Sequence, residues 1–382
     1  MTIGKNERML MRESIKQSKC WVVKVGSSLV TNNGRGLDLM AIEDWAGQLI
    51  AMQKLGIQVV LVSSGAVAEG VARLELKSKP KQVRLQQAAA AVGQMGLIQA
   101  YESCFMRHGV HAAQILLSHD DLSDRTRYLN ARSTLTTLLE MGVVPVVNEN
   151  DTVATAELCF GDNDTLAALV ANLINADVML ILTDQDGLFE TDPRNNASAK
   201  LVASASAIDD SLSAMAGKGS SLGRGGMVTK ISAAKLASRS GTNTLIANGR
   251  EQQILSRLLE GEEIGTWLYA DSEPITAKKQ WLASQLTLKG SLVLDAGAVS
   301  VLRDSGRSLL AVGIKSLSGH FARGDVVSCL DEAGVEIARG LVNFDYYEIE
   351  KIKGQSSENI ENLLGYAGEE EIIHRDNLIL SD

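Results

Sequence analysis

The segment Val143-Val144-Pro145-Val146-Val147-Asn148-Glu149-Asn150-Asp151 decides the fold of this chain. Its first five residues form an uninterrupted apolar run, which is typical of a parallel strand buried on both faces. Its last four residues are amides and carboxylates, and a second polar turn, Gly161-Asp162-Asn163-Asp164-Thr165, follows soon afterwards. Because buried acidic groups are costly without partners, the two turns predict a site for a charged small molecule at the end of a buried strand.

Strands and helices alternate on both sides of this run. The predicted strands are Cys20–Val25, Ile57–Val62, His111–Leu117, Val143–Val147, Val178–Leu182 and, as the last one, Thr244–Ala247. The predicted helices are Leu37–Lys54, one that begins at Ala66, Gln82–Met106, Asp124–Met141, Thr165–Ile174 with Asp164 as N-cap, and Lys230–Arg239. The alternation predicts an α/β fold with a doubly wound, mainly parallel sheet sandwiched by helices. Ligands of such sheets bind beyond the carboxyl ends of the strands.

The pattern changes after Gly290, where short apolar runs separated by glycine predict a small β-rich barrel or sandwich. Its predicted strands are Ser291–Leu294, Val299–Leu302, Ser308–Leu310, Val326–Leu330 and Glu336–Gly340, followed by a helical stretch at Ser357–Leu364. The predicted organisation is an N-terminal extension at 1–19 that is a candidate for disorder, an α/β domain at 20–268, a linker at 269–289, a β-rich module at 290–368 and a tail at 369–382.

Composition limits the classes of function. The chain has 382 residues, of which 45% are apolar and 4% aromatic, and its formal charge of −9 argues against general binding to nucleic acid. The four cysteines, Cys20, Cys104, Cys159 and Cys329, form no CxxC pair, so neither a zinc site nor a disulfide framework is indicated. No signal-peptide pattern or membrane-spanning apolar run is present, and we expect a reduced, cytoplasmic protein.

Two glycine turns follow predicted strands and carry candidate anion-binding groups. In the first, Gly26-Ser27-Ser28, backbone N–H groups could approach a polyphosphate, and the Lys24 ammonium could reach the same anion. A solvated lysine at the end of a strand is the ordinary alternative. The second turn, Ser63-Ser64-Gly65-Ala66, opens a helix whose free N–H groups suit a carboxylate or phosphate, or it is a simple tight turn with Ser64 as cap.

Two further loops complete the set. Gly223-Arg224-Gly225-Gly226 leads into Thr229-Lys230 at the start of a helix, which favours an anion site over a plain flexible linker. Thr183-Asp184 follows a buried strand, where either a nucleotide contact or an ordinary loop is consistent with the turn-forming residues. The acidic turns fit either a Mg²⁺ site or hydrogen bonds to a substrate ammonium. The five histidines show no metal-binding or triad-like spacing.

Taken together, these motifs resemble the amino acid kinase family. The resemblance lies in six ordered stretches: VVKVGSS at 22–28, VLVSSGAVAEG at 60–70, VVPVVNENDTVATAE at 143–157, FGDNDTLAALVA at 160–171, LILTDQDGLFETDPR at 180–194 and GRGGMVTKISAAKLASRSG at 223–241. The pairing of NENDTVATAE with GDND resembles the glutamate-phosphorylating branch more than the aspartate, acetylglutamate, carbamate or uridylate branches. The stretch GIKSLSGHFARGDVV at 313–327 resembles a PUA domain, a β-rich module named from RNA-modifying enzymes.

The resemblance implies ATP- and Mg²⁺-dependent phosphorylation of the glutamate side-chain carboxylate, at the first step of proline synthesis. It implies that Lys24 and Lys230 contact the transferring phosphoryl group and that Asp164 holds both lysines. Glutamate would be bound by Ser64, Gly65, Asn148, Asp151, Asp162 and Asn163. The nucleotide site would comprise Lys24, Gly26, Thr183, Asp184, Arg224, Gly225, Gly226, Met227, Val228, Thr229 and Lys230. No protein ligand for the Mg²⁺ ion is assigned.

The resemblance also implies feedback inhibition by proline and a homodimer or homotetramer formed through the kinase domain. Two alternatives stay open. The first is an amino acid kinase with another carboxylate acceptor. The second is RNA binding through the C-terminal module, which the charge balance weakens because Ile275–Asp382 has 11 Lys and Arg against 16 Asp and Glu. A regulatory or assembly role for this module is a third possibility.

Overall fold

The computed structural model describes residues 13–31, 36–153, 163–193, 196, 198–216, 226–271, 288–366 and 368–381 of the chain. The molecule divides into two compact units, Met1–Ser123 with Ala131–Ala277, and Asp124–Asn130 with Lys278–Asp382. None of the helices in the described ranges is long and apolar enough to cross a membrane.

An eight-stranded sheet forms the centre of the N-terminal unit, with the strand order β3-β4-β2-β1-β5-β7-β8-β6. Strands β3, β4, β2, β1, β5 and β7 are parallel, whereas β8 pairs antiparallel to β7 and parallel to β6. The strands are β1 (Cys20–Val25), β2 (Gln58–Ser63), β3 (Ala112–Leu117), β4 (Val144–Glu149), β5 (Val178–Thr183), β6 (Ser204–Ser206), β7 (Asn243–Asn248) and β8 (Thr266–Tyr269). The predicted doubly wound, mainly parallel α/β sheet is confirmed.

Helices in the connections between the strands flank this sheet. They are α1 (13–17), α2 (Ser27–Val30), α3 (Leu39–Lys54), α4 (Ala66–Arg73), α5 (Val83–Met106), α6 (His119–Ser123), α7 (Arg125–Glu140), α8 (Asn163–Ile174), α9 (Ser211–Met215), α10 (Met227–Ala237) and α11 (Ile254–Leu259). One face of the sheet packs on a core that includes Trp21, Trp45, Tyr101, Phe105 and Trp267, all at most 2% exposed. Burial of apolar surface on this scale stabilises the sheet and fixes the positions of its strand ends.

Several elements differ from the sequence prediction. Helix α8 begins at Asn163, so Asp164 lies inside its first turn and the prediction of Asp164 as N-cap is wrong. The physical reason is that the Asp164 carboxylate contacts two lysines instead of a backbone N–H at the helix start. Likewise, α10 begins at Met227 rather than at Thr229-Lys230. The prediction of Thr244–Ala247 as the last strand is wrong because the chain reverses and adds β8 beside β7.

Part of the segment predicted as an N-terminal extension packs on the core. Ile15, in α1, is fully buried. The Ser18 hydroxyl accepts a hydrogen bond of 2.6 Å from the Trp21 indole and donates one of 2.5 Å to the Ile15 carbonyl. Described residues of the 1–19 range therefore belong to the N-terminal unit.

The C-terminal unit is β-rich. Its five-stranded sheet has the order β11-β9-β12-β13-β15, and β10 pairs with β14. The strands are β9 (Gly290–Leu294), β10 (Leu309–Leu310), β11 (Ile314–Gly319), β12 (Val326–Leu330), β13 (Glu336–Leu341), β14 (Glu371–Ile373) and β15 (Leu378–Leu380), and the helices are α12 (Ala296–Ser305), α13 (Tyr346–Ile352) and α14 (Ile360–Leu364). The residues predicted as a tail at 369–382 thus supply two strands. Of the range predicted as a linker, 272–287 lies outside the described residues.

The stretch Val299–Leu302 is helical, so its prediction as a strand is wrong. Asp295 caps this helix, α12, by accepting a hydrogen bond of 2.7 Å from the Ala298 N–H. The helix buries Leu302 against the core of the C-terminal unit. A stretch as short as Val299-Ser300-Val301-Leu302 fits either the strand or the helix period, and here the Asp295 cap favours the helix.

Candidate active site

The centre of the site is the carboxylate of Asp164, which is fully buried. Lys24 Nζ lies 2.5 Å from Asp164 Oδ1, and Lys230 Nζ lies 3.1 Å from Oδ2. The Thr229 hydroxyl is 2.9 Å from the same Oδ2. The two lysines, from β1 and α10, are 5% and 7% exposed, so a single acid brings two buried cations together from distant parts of the chain.

Electrostatics keep Asp164 ionised. Burial alone would raise its pKa, but the charges of Lys24 and Lys230 and their hydrogen bonds outweigh burial and hold the pKa below its usual value. Two ammonium groups thus meet on a single buried carboxylate. In a site shielded from water, ammonium groups attract an anion more strongly than they would at the surface.

A chain of amide side chains lies at the ends of the neighbouring strands β2 and β4. Asn163 Nδ2 donates to Ser63 O at 3.0 Å, to Ser64 Oγ at 2.9 Å and to Asn148 Oδ1 at 2.8 Å. All described hydrogen bonds of the Asn163 side chain use this nitrogen, so Oδ1 of Asn163 is left as an acceptor. A site with this polarity suits the ammonium group of an amino acid.

The turn after β2 depends on Gly65, which has φ of 111° and precedes the first residue of α4. An added Cβ there would lie 3.2 Å from Val30 Cγ1, and the left-handed backbone itself disfavours other residues. The alternative that Ser64 caps α4 is wrong, because no side chain caps this helix and the Ser64 hydroxyl instead receives Asn163 Nδ2.

Helix α4 packs against α5 with almost no space between their backbones. An added Cβ at Gly70 would lie 1.7 Å from Ala89 O, and one at Gly93 would lie 1.9 Å from Ala66 O. Such distances exclude any side chain at either position unless the helices separate. The close approach therefore holds α4, and with it Ser64 and Gly65, at the strand ends.

The residues expected to bind nucleotide lie at the ends of β1 and β5 and at the start of α10. Gly26 adjoins the lysine pair, since an added Cβ would be 3.8 Å from Lys24 Nζ and 3.6 Å from Leu182 O. Thr183 ends β5 and is 8% exposed, and Asp184 is exposed beside it. Gly226, Met227, Val228, Thr229 and Lys230 form the boundary and first turn of α10. Their positions are compatible with a phosphate-binding edge.

Three expected site residues, Asp162, Arg224 and Gly225, lie outside the described residues. Asp151 is described in the turn after β4, where its backbone N–H donates to Glu149 O at 2.9 Å. The structure thus brings together, through hydrogen bonds and ion pairs, Lys24, Ser64, Asn148, Asn163, Asp164, Thr229 and Lys230.

Comparison with known proteins identifies the family to which the chain belongs. The model of the amino acid kinase family matches residues 19–248, more than half of the chain. The chain belongs to the amino acid kinase family. The PUA domain model matches residues 290–364.

Family members named glutamate 5-kinase resemble the chain over nearly its full length. The protein of that name from Nitrosospira multiformis is 60% identical over 371 residues, covering 97% of this chain and 100% of its own. The one from Saccharophagus degradans is 57% identical over 372 residues, with the same coverage. Among solved structures, UMP kinase from Bacillus anthracis aligns with 67% of this chain and 97% of its own, at 18% identity and a TM-score of 0.47.

Some residues at this family site were missed by the sequence analysis. Gln94 of α5 accepts a hydrogen bond of 2.8 Å from Asn148 Nδ2, and the Tyr101 hydroxyl is 3.0 Å from Ser63 Oγ. At the end of β7, Gly249 N donates to Thr183 O at 2.9 Å, and Arg250 Nη2 donates to Ser28 O at 3.3 Å. The rule that ligands bind at strand ends could have identified Gly249 and Arg250, because they follow β7 directly.

The described residues contain no group of three or more His, Cys, Asp or Glu side chains arranged to hold a metal ion. The Asp164 carboxylate is occupied by Lys24 and Lys230.

Proposed function

We propose that the protein transfers the γ-phosphoryl group of Mg-ATP to the side-chain carboxylate of glutamate, giving γ-glutamyl phosphate and ADP. The observation that carries the proposal is the pairing of Lys24 and Lys230 on Asp164, next to the amide chain at Asn163. The relatives named glutamate 5-kinase support the choice of acceptor.

The chemistry needs no general base. A glutamate carboxylate has a pKa near 4.3, so at neutral pH it is already the nucleophile. The difficulty is the approach of one anion to another, and the barrier is lowered by positioning and charge neutralisation. The ammonium groups of Lys24 and Lys230 would stabilise charge on the transferring phosphoryl oxygens.

In the same proposal, glutamate is held by its ammonium and α-carboxylate groups. Asn163 Oδ1 would accept from the ammonium, and the Ser64 hydroxyl, which already accepts from Asn163, would donate its proton to a carboxylate oxygen. Asn148, Asp151, Asp162 and Gly65 would line the same subsite. Gly26, Thr183, Asp184 and the segment 224–230 would contact the nucleotide.

We further propose that the product serves proline synthesis, that proline inhibits the enzyme, and that the protein is a cytoplasmic homodimer or homotetramer. The resemblance of the six motifs to the glutamate-phosphorylating branch supports these points. Size-exclusion chromatography with light scattering tests the assembly, and a proline titration at subsaturating glutamate tests the inhibition.

The decisive experiment measures ADP release from Mg-ATP with glutamate, while hydroxylamine traps the acyl phosphate as a hydroxamate. We expect both signals with glutamate and neither with aspartate, N-acetylglutamate, carbamate or UMP. If hydroxamate formed with another acceptor and not with glutamate, that acceptor would be the substrate and the proposal of glutamate would be wrong. ADP release without hydroxamate would contradict transfer to a carboxylate.

A further inference from the structure

Gln94 is a buried polar residue in the middle of α5, 7% exposed. Its Oε1 accepts a hydrogen bond of 2.8 Å from Asn148 Nδ2 at the end of β4. Its Nε2 is buried and has no hydrogen-bond partner among the described residues. A buried amide nitrogen without a partner costs stability, and an apolar side chain of similar size would avoid that cost. The hydrogen bond to Asn148 is therefore the interaction that a glutamine at this position supplies.

The hydrogen bonds fix the direction of the whole amide chain. Asn148 Oδ1 accepts from the backbone N–H of Glu149 at 2.9 Å, and a backbone N–H can only donate. Asn148 must therefore turn its Nδ2 toward Gln94, which must present Oε1. Because Asn148 is 2% exposed, loss of the Gln94 acceptor would leave its Nδ2 buried without a partner.

The same direction continues to Asn163. Since Asn148 Oδ1 faces Asn163 Nδ2 at 2.8 Å, the Asn163 amide turns its nitrogen toward the strand ends and leaves Oδ1 as an acceptor. An acceptor at this point selects a donor, such as the ammonium of an amino acid. A reversed amide would present N–H groups and repel that ammonium.

We propose that Gln94 is a positioning residue for the acceptor subsite: its Oε1 satisfies the buried Nδ2 of Asn148 and so holds Asn148 in the orientation that receives Asn163 Nδ2 and leaves Asn163 Oδ1 for the ammonium group of the substrate. This inference rests on the proposed function. Gln94 acts through the two asparagines and is given no contact with the reacting atoms.

The test compares Gln94→Met, Gln94→Glu and Gln99→Met in the full-length protein. Gln94→Met removes the acceptor at similar volume, and we expect KM for glutamate to rise by about 5- to 30-fold, as for loss of a buried hydrogen bond. We expect kcat and KM for ATP to stay within about threefold of the wild-type values. Gln94→Glu keeps an oxygen facing Asn148, so its KM for glutamate should rise less. Gln99→Met is the matched control on an exposed position of the same helix and should match wild type.

A second readout separates positioning from general damage to the fold. Glutarate has both carboxylates of glutamate and lacks the ammonium, so its Ki as a competitor reports binding without that group. We expect Gln94→Met to weaken the binding of glutamate much more than the binding of glutarate. The inference would be overturned if Gln94→Met weakened the binding of both ligands equally or left KM for glutamate unchanged. It would also be overturned if KM for glutamate rose more in Gln94→Glu than in Gln94→Met.

Failure of the inference can be told from failure of the proposed function. Wild-type protein without glutamate-dependent hydroxamate would refute the function, and the variants would then be tested by ligand-induced thermal shifts with glutamate and glutarate. If those shifts also fail to separate the two ligands in wild type, the positioning role is refuted too. Wild-type activity with an unaffected Gln94→Met protein would refute the positioning role alone.

Discussion

At the scale of single residues, the site depends on one carboxylate that serves two lysines. Asp164 has no solvent exposure, and its partners Lys24 and Lys230 are nearly as buried. A buried ion pair gives little net stability as a pair, yet removing one partner leaves the others uncompensated. Asp164 is therefore expected to matter for both folding and phosphoryl transfer.

The Lys230→Ala variant should lower kcat by about 10²–10³, as for loss of a comparable electrostatic donor. Steady-state ADP release at saturating substrates measures this effect. The matched control is Lys235→Ala on the same helix, whose ammonium pairs with the exposed Asp210 and should leave kcat unchanged. Near-normal turnover of a folded Lys230→Ala protein would exclude its catalytic role.

The Asp164→Ala variant should lose about 3–5 kcal/mol of unfolding free energy, because two buried ammonium groups each lose their ion pair with Asp164. Urea unfolding measures the change. Asp210→Ala breaks the exposed pair with Lys235 and should cost no more than about 1 kcal/mol. A similar loss of unfolding free energy in both variants would show that burial of the Asp164 carboxylate does not determine its contribution to stability.

The depressed pKa of Asp164 adds a pH dependence. A carboxylate whose pKa is lower in the folded protein stabilises it above the unfolded pKa of about 3.9 and loses that contribution as pH falls through the folded pKa. The difference in unfolding free energy between wild type and Asp164→Asn should be constant from about pH 5 to 8 and shrink below about pH 4. A difference that grows on acidification contradicts this assignment.

At the scale of elements, the approach of α4 to α5 positions the turn that carries Ser64. Gly93→Ala places a Cβ 1.9 Å from Ala66 O and 2.3 Å from Gly70 N, and these are backbone atoms that cannot rotate away. We expect a loss of about 1–3 kcal/mol in urea unfolding, as for overpacking, with a higher KM for glutamate and less change in KM for ATP.

The control for Gly93→Ala is Gly47→Ala in the middle of α3, where an added Cβ meets no atom within 4 Å. This change should stabilise the protein by about 0.4–1 kcal/mol because it reduces the entropy of the unfolded chain. If both alanine variants were stabilised, the close packing of α4 on α5 would not constrain the site.

The strand ends were predictable from the sequence, whereas contacts between elements distant along the chain were not. Lys24, Asn148 and Thr183 each lie near the carboxyl end of a run of apolar residues that predicts a buried strand. Because the carboxyl ends of parallel strands meet at one edge of the sheet, the sequence predicts that these residues lie close together. Gln94 could not be chosen among the other glutamines of α5, because helical spacing does not reveal which one meets a residue of β4. The β8 reversal was likewise invisible, since a four-residue strand has too short a pattern.

At the scale of the whole molecule, each of the two units contains a buried thiol whose reactivity can be used to measure the unfolding of that unit. Burial raises the pKa of Cys20 in β1 to about 12 and that of Cys329 in β12 to about 12, and it also raises the pKa of Cys104 in α5. Thiols react as thiolates, so these three should be nearly inert in the folded protein at pH 8.

Maleimide labelling followed by peptide mass spectrometry measures this inertness. We expect no labelling of Cys20, Cys104 or Cys329 over an hour in buffer and complete labelling in 6 M guanidinium. The denaturant concentration at which Cys20 becomes reactive gives the stability of the N-terminal unit, and that for Cys329 gives the stability of the C-terminal unit. Rapid labelling of Cys20 or Cys329 in buffer would contradict their burial.

Asn163 and Asp164 are consecutive residues of α8, and they serve different halves of the proposed reaction. Asn163 belongs to the amide chain, and Asp164 holds the two lysines. In the proposed reaction, one peptide unit, about 3.8 Å between Cα atoms, would therefore link the acceptor and donor subsites. On this scaffold a new acceptor can arise through changed side chains at the strand ends, while a one-residue insertion at this point would misalign both halves at once.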